Sequence, residues 1–146
     1  FGYVLADESG RYRPEEWARR AVSLYRSLDA DRIIGEVNNG GDLIEAAIRA
    51  QAADVPYKAV RASKGKVARA EPVAALYERG KVLHIGAFPE LEDQCCAITV
   101  GFDSKVAGWS PDRVDALVWG LTELFPALSA RRTTMTELPK PQFSMI

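Results

Sequence analysis

Apolar and polar positions alternate along the chain in blocks that predict strands and helices in turn. Short aromatic and β-branched runs predict strands at residues 2–6, 32–37, 57–62 and 81–85. Longer segments with apolar residues at helical spacing predict helices at residues 14–29, 42–48, 69–79, 89–97 and 111–125. Because parallel neighbours need a crossover connection, this alternation predicts an α/β fold with a mostly parallel sheet and helices on its faces.

Proline, glycine and acidic residues predict where the helices begin and end. Pro14 and Pro111 suit first helical turns, Asp42 is a plausible N-cap, and Gly80 would end the third helix. Pro72, just after Arg69, has the features of that third helix's start. Residues 99–109 contain two glycines and little periodicity, which predicts a mobile loop. Past residue 129 the periodic spacing of apolar residues ends, so we expect a domain over residues 1–129 and a tail or linker over 130–146.

The composition fits one domain and excludes several classes of protein. With 146 residues, 47% of them hydrophobic, the chain can bury one sizeable core. Its 19 basic and 20 acidic residues nearly cancel, so any attraction to phosphate needs a local patch. No apolar run approaches the roughly 18–20 residues of a membrane span, and no GxxxxGK[ST] loop indicates an ATPase. The adjacent Cys95 and Cys96 favour a reducing, cytoplasmic setting over a structural disulfide.

Glu36 is an acid within a run that should be buried. It follows Ile33, Ile34 and Gly35, where a parallel strand covered on both faces would carry apolar side chains. Burying an unpaired carboxylate costs several kcal/mol. Glu36 therefore either hydrogen-bonds to the polar loop at residues 38–41, or lies in a cleft at the carboxyl edge of the sheet, where open α/β folds place ligands.

Asp115 lies in the first turns of the last apolar helix, beside its core-facing stripe, and Asp112 lies one turn earlier. Acids favour helix N-termini for electrostatic reasons alone, so this pair by itself indicates little. Together with Glu36, however, Asp115 could converge on hard divalent cations such as Mg²⁺ or Mn²⁺. Two such ions about 4 Å apart can hydrolyse a phosphodiester.

Five basic residues without an intervening acid could bind phosphate or simply form a solvated face. They are Lys58, Arg61, Lys64, Lys66 and Arg69. Their contribution to duplex binding would be electrostatic and salt-sensitive, with no pattern for reading bases.

Other conspicuous side chains have ordinary structural explanations. His84 is expected to be a strand residue with hydrogen bonds, and Cys95 and Cys96 to pack in a helix without a nearby histidine. Trp17 and Trp119 fall on apolar helical stripes and are expected in the core.

Several motifs together resemble one family. They are RYRPEEW at 11–17, IIGEVNNGG at 33–41, RASKGK at 61–66 with RAEP at 69–72, GAFPELEDQ at 86–94 and SPDRVDA at 110–116. Their order and spacing resemble the C-terminal nuclease domain of large terminase subunits from tailed phages, prophages and gene-transfer-agent-like elements. The resemblance runs from about Gly2 to Phe125.

The resemblance implies an RNase H-like fold, with a central mixed sheet flanked by helices, and an endonuclease that cuts concatemeric double-stranded DNA during genome packaging. It implies metal ligation by Glu36 and Asp115, with Asp112 as an auxiliary position, in a two-metal site for Mg²⁺ or Mn²⁺. The family's other essential acid would lie on a first strand that precedes Phe1, so the RNase H-like domain at residues 1–129 would lack its first strand. The full-length protein would add an ATPase domain, and its partners would be the small terminase subunit and the portal, in the cytoplasm of a bacterial host.

Two other hypotheses remain open. The same fold could belong to a junction-resolving or RNA-cutting relative. Alternatively, the chain could be a non-catalytic module that docks DNA or the portal, in which case DNA binding would depend on salt and not on metal. The distance between the Glu36 and Asp115 carboxyl groups separates these hypotheses.

Overall fold

The computed structural model describes residues 1–37, 42–98 and 101–129. Its strands are β1 (Gly2–Val4), β2 (Ile33–Glu36), β3 (Tyr57–Val60) and β4 (Val82–His84). Its helices are α1 (Pro14–Ser27), α2 (Asp42–Gln51), α3 (Lys66–Glu78), α4 (Pro89–Ala97), α5 (Ser104–Ala107), α6 (Asp112–Leu124) and α7 (Pro126–Ser129). The α/β class and the order of the elements are therefore as the hydrophobic pattern predicts.

The strands form two separate pairs instead of one central mixed sheet. β2 pairs in parallel with β3, and Glu36 stands opposite Val60. β1 pairs in parallel with β4, and Val4 stands opposite His84. Within the described residues every strand pair is parallel and the two pairs share no hydrogen-bonded strand. The hydrophobic pattern locates strands but carries no information on which strands become neighbours, so the prediction of one sheet was wrong.

Each strand pair has its own hydrophobic cluster. Helices α1 and α2 cover β2 and β3 around Ala18, Ile48 and Val55, which are completely buried. Helices α3, α4 and α6 enclose β1 and β4 in a second cluster, whose buried members include Leu91 and Val118. Two half-cores therefore lie side by side, and the elements that face both of them can form a site between them.

Helix α3 begins three residues earlier than the sequence predicts. The backbone N–H of Arg69 donates to the carbonyl of Gly65 at 3.1 Å, so the first turn has closed before Pro72 is reached. Pro72 lies inside the helix instead of opening it. This shift puts Lys66 and Arg69 on helical turns, with their side chains at fixed positions, and not in a preceding loop.

The segment predicted as a loop at residues 99–109 contains the short helix α5. The carboxylate of Asp103 accepts a hydrogen bond from the backbone of Lys105 at 2.7 Å, and Gly108 ends the helix with a φ of 73°. Both are ordinary capping devices, which hydrophobic periodicity does not detect in so short a helix.

Some predictions fall outside the described residues. They include the loop at 38–41, residues 99–100 and the tail at 130–146, so the domain end at residue 129 stays a prediction. Helix α2 starts at Asp42 itself, but the side chain of Asp42 is also outside the description, and its capping role stays a prediction.

Ion pairs connect the two half-cores. Glu123 on α6 accepts hydrogen bonds from Lys58 on β3 at 2.6 Å and from Arg32 before β2 at 3.2 Å. Since both basic side chains belong to the β2–β3 half, Glu123 fixes α6 against that half.

Candidate functional site

A cleft of about 680 Å³ opens where the two half-cores meet. Its walls include Glu36 at the carboxyl end of β2, Arg69 in the second turn of α3, and Asp115 and Trp119 on α6. Three elements that are distant in the sequence thus contribute charged side chains to one space, at the strand end where ligands are expected.

Glu36 and Asp115 converge on the same guanidinium group. Nη2 of Arg69 lies 2.5 Å from Oδ1 of Asp115, and its Nη1 lies 3.7 Å from Oε1 of Glu36. The side chains of Arg69 and Asp115 are only 10% and 9% exposed, so this contact is largely withdrawn from water. The two acids therefore contact the same arginine, and their convergence on a metal ion stays a prediction.

A second, more exposed group of charges lies beside this contact. Nζ of Lys66 is 2.9 Å from Oδ1 of Asp112 and 3.4 Å from Oδ2 of Asp115. The Ser110 hydroxyl donates to Asp112, and together with Lys66 it holds the pKa of that carboxyl below its usual range. Burial lowers the pKa of Lys66, but the hydrogen bond to Asp112 and the charge of Asp115 outweigh it and raise that pKa. Asp112 is thus ionised and paired at the mouth of the cleft.

The position of Glu36 depends on tight packing of β2 against β3. The ring of Tyr57 lies so close to Gly35 that a Cβ at this position would collide with its hydroxyl. On the far side of Glu36, the backbone N–H of Val37 donates to the Val60 carbonyl at 2.9 Å. A residue without a side chain at position 35 therefore lets the strand run to its end beside the cleft with Glu36 at its tip.

The position of Asp115 depends on a network around Arg113. The Arg113 guanidinium contacts Asp7 at 2.6 Å and Glu90 at 2.7 Å, and its backbone N–H donates to the Gln94 side chain at 3.1 Å. These bonds tie the start of α6 to the segment after β1 and to α4. The first turn of α6, which carries Asp112 and Asp115, is therefore held from three sides.

Stability should depend on pH through Asp7. Burial raises the pKa of Asp7, but hydrogen bonds from Ser9 and Arg113 outweigh that effect and hold it below its ordinary value of 3.8. A carboxyl group whose pKa is lower in the folded state stabilises the fold above its unfolded pKa, and this contribution is lost as the pH falls. We expect the free energy of unfolding of the wild type to fall more steeply between about pH 5 and about pH 2 than that of Asp7→Asn.

Urea titrations across this pH range would measure the effect. Asp93→Asn is the matched control, because Asp93 is exposed on α4 and should leave the wild-type slope unchanged. Parallel pH profiles for wild type and Asp7→Asn would contradict the role of the Asp7–Arg113 pair.

The five predicted DNA-binding residues do not form one free surface. Lys58 pairs with Glu123, and Lys66 and Arg69 pair with the cleft carboxylates. Arg61 and Lys64 are exposed, and within the described part of the chain no acidic side chain pairs with them. Their different environments arise because the run of basic residues crosses from β3, through a turn, into α3.

Trp119 was missed as a site residue. Its ring lies 4.9 Å from the Arg69 guanidinium carbon and lines the cleft, whereas its apolar stripe suggested a place in the core. The sequence did contain a signal, because Trp119 follows Asp115 by four residues, one helical turn, and so shares its face of α6. Arg32, which also lines the cleft, carries no such signal.

His84 and Cys95 have the structural roles expected from the sequence, whereas Cys96 is exposed, so the expectation that it packs was wrong. His84 hydrogen-bonds to the Tyr77 hydroxyl at 2.7 Å and to Glu92 at 3.0 Å, away from the cleft. Both cysteines are free and lie on α4. Burial, together with the charges of Cys95 and Glu92, raises the pKa of Tyr77 to about 12, so this hydroxyl stays protonated at neutral pH.

The cleft therefore contains one acid at the end of a strand and another on a late helix, in the same order along the chain as in the sequence motifs. A family model described as the terminase RNaseH-like domain matches residues 2–124. The chain belongs to this family. No curated protein and no solved structure matches the chain significantly. Membership in the terminase RNase H-like family indicates a nuclease-type domain and associates it with DNA and phage packaging in general.

Two kinds of feature are absent from the described residues of this terminase domain. Within residues 1–37, 42–98 and 101–129, no group of three or more acidic, histidine or cysteine side chains could hold a metal ion. In the same ranges, no helix has the length and apolar character needed to cross a bilayer. The cleft thus offers two converging carboxylates, with Asp112 beside them engaged by Lys66 and Ser110.

Proposed function

We propose that this terminase domain is an endonuclease that cuts double-stranded DNA with the help of Mg²⁺ or Mn²⁺. The observation that carries the proposal is the convergence of Glu36 and Asp115 on one cationic group in a cleft between the two half-cores. Two carboxylates that approach each other repel, so their convergence needs a compensating cation or a shared proton, and Arg69 shows that the site accepts a cation.

The donor set fits a hard divalent cation. Carboxylate oxygens are the preferred protein ligands of Mg²⁺ and Mn²⁺, and Glu36 and Asp115 already share one positive charge. They would be the ligands, and Asp112 would be an auxiliary one reached from the cleft mouth. When bound, a pair of such ions supplies an activated water and stabilises the leaving oxygen of a phosphodiester. Lys66 orients Asp112 and the outer oxygen of Asp115.

The biological setting follows from the same proposal. The domain would cleave concatemeric DNA during genome packaging by a tailed phage, a prophage or a related element, in the cytoplasm of a bacterial host. In the full-length protein it would act with a terminase ATPase domain, the small terminase subunit and the portal.

Cleavage assays on different nucleic acids test the proposal. Linear duplex DNA, a four-way junction and an RNA–DNA hybrid of matched length should be compared with Mg²⁺, with Mn²⁺ and with a chelator. We expect cleavage of the duplex, dependent on metal and abolished by the chelator. Preference for the junction or the hybrid would instead identify a resolvase-like or RNA-cutting activity.

DNA binding should depend on the two unpaired basic residues. Replacing Arg61 and Lys64 together by Ala is expected to lower the affinity for duplex DNA at low salt. The slope of log affinity against log salt should become shallower by about 2, because each lost phosphate contact removes about one unit. Fluorescence anisotropy at several salt concentrations measures both quantities.

A double Ala variant of Arg19 and Arg79 is the control, since these two arginines are exposed elsewhere and change the net charge equally. An equal loss of affinity in both double variants would show that only total charge matters, and would contradict a DNA surface at residues 61–64.

One observation favours a second candidate, the non-catalytic module that docks DNA or the portal. In the part of the chain that the structure describes, no group of three acidic side chains is placed to hold a metal ion, and Arg69 contacts both Glu36 and Asp115. A docking module would bind DNA with the same salt dependence, with or without a chelator, and would cut none of the three substrates.

A further inference from the structure

The guanidinium of Arg69 occupies the space between Glu36 and Asp115. It contacts Asp115 at 2.5 Å and Glu36 at 3.7 Å, and it packs over the Trp119 ring. Its Nη1 also donates to the Lys64 carbonyl at 2.9 Å. The side chains of Arg69 and Asp115 are about nine-tenths buried, whereas that of Glu36 is 23% exposed. A cation that bridges Oε1 of Glu36 and Oδ1 of Asp115 must take the position that Arg69 now fills.

Arg69 is not fully satisfied in this position. Its Nε is buried without a hydrogen-bond partner among the described residues. A buried N–H without an acceptor loses its hydration and receives no compensating bond. The contact to Glu36 is also an ion pair without a hydrogen bond, because 3.7 Å exceeds hydrogen-bond range. The Arg69 ion pairs therefore leave one buried N–H without a hydrogen bond. A cation without such a group would avoid this free-energy penalty.

We propose that Arg69 is an exchangeable counter-cation: it neutralises Glu36 and Asp115 when no metal is bound, and a divalent cation displaces it from between them. The inference rests on the proposed function, since it takes these two acids as the metal ligands. No covalent bond changes in the exchange.

Charge and geometry indicate how Arg69 changes the affinity of the site for a metal ion. Lys66 already lies 3.4 Å from the outer oxygen of Asp115. Beside it the guanidinium contributes one positive charge to the two carboxylates, whereas a divalent ion would contribute two, so exchange increases the positive charge at the site. Metal binding must nevertheless first break the Arg69–Asp115 contact. Two cations that compete for one pair of ligands weaken each other's apparent affinity, so Arg69 should lower the affinity of the site for metal.

Mn²⁺ binding to Arg69→Gln tests this inference. Titration of free Mn²⁺ by electron paramagnetic resonance should give a dissociation constant about tenfold lower in Arg69→Gln than in the wild type, within the usual range for coupling between two ligands. Arg49→Gln is the matched control. Arg49 is likewise ion-paired, to Glu45 on α2, but lies outside the cleft, and its loss should leave Mn²⁺ affinity unchanged.

Glu36→Gln separates failure of the inference from failure of the proposed function. Mn²⁺ binding that Glu36→Gln abolishes, but that is equal in wild type and Arg69→Gln, would overturn the exchange and leave the metal site intact. If neither the wild type nor Arg69→Gln shows binding that depends on Glu36, the metal site itself fails, and the exchange fails with it.

A measurement on the wild type covers the case in which Arg69→Gln does not fold. The Nε–H of Arg69 should give a side-chain ¹⁵N resonance protected from water, assigned by its absence from Arg69→Lys. Adding Mg²⁺ should shift this resonance and speed its exchange with water, while K⁺ at equal ionic strength should not. A resonance that is unchanged when the Glu36 side-chain signals respond to Mg²⁺ would overturn the proposal.

Discussion

Glu36→Gln and Asp115→Asn are each expected to lower metal-dependent cleavage of duplex DNA by at least about 10²-fold, the loss that follows removal of a group that stabilises charge in a transition state. Each substitution keeps the size of the side chain and removes one negative charge from the cleft.

The controls are Glu78→Gln and Asp93→Asn, which make the same chemical changes at exposed positions on α3 and α4. DNA affinity should be measured in parallel, so that lost cleavage is not confused with lost binding. Cleavage retained in both cleft variants would remove these two acids from the chemistry.

The second large effect concerns stability. Asp115→Ala is expected to lower the free energy of unfolding by about 3–5 kcal/mol, because it leaves the buried Arg69 charge with only the longer contact to Glu36. The double variant Asp115→Ala/Arg69→Met should be no less stable than Asp115→Ala alone, because it also removes the Arg69 charge that Asp115→Ala leaves without its partner. Urea unfolding of the wild type, both single variants and the double variant gives the coupling energy of the pair.

The exposed pair of Arg20 and Glu8 provides the comparison. Its side chains are 51% and 50% exposed, so the same double-variant cycle, with Glu8→Ala and Arg20→Met, should give at most about 1 kcal/mol. A cost for Asp115→Ala no larger than that of Glu8→Ala would show that the cleft pair is solvated, and would contradict a buried ion pair.

Local sequence pattern singles out Glu36 and Asp115, but it does not place Arg69 between them. Glu36 was identified because an acid interrupts an apolar strand, and Asp115 because an acid accompanies an apolar helical stripe. Both signals are local and depend on the contrast between a residue and its neighbours. That the two acids meet could only be a hypothesis from the sequence, because it depends on how α6 packs beside the end of β2, which no local pattern shows.

Arg69 could not be assigned from local pattern. In the sequence it belongs to a basic run without acids, which indicates a surface, and both acids that it contacts lie far away along the chain. Its assignment to DNA binding also depended on where α3 begins. A helix that starts at Lys66, and not near Pro72, turns Arg69 inward against Trp119.

The arrangement of the strands was likewise beyond local pattern. A run such as the one around Ile33 indicates a strand, but the choice of its neighbour depends on which helices pack between the strands. Here α1 and α2 cover one pair and α3, α4 and α6 the other, so two parallel pairs form.

The central claim is that Glu36 and Asp115 jointly bind a divalent cation. Its most direct test is anomalous diffraction from crystals of the protein soaked in Mn²⁺. We expect an anomalous peak within coordination distance, about 2.0–2.6 Å, of a carboxylate oxygen from each acid, with the Arg69 guanidinium moved out of that position. A peak elsewhere, or an empty cleft with Arg69 still between the two acids at saturating Mn²⁺, would contradict the account.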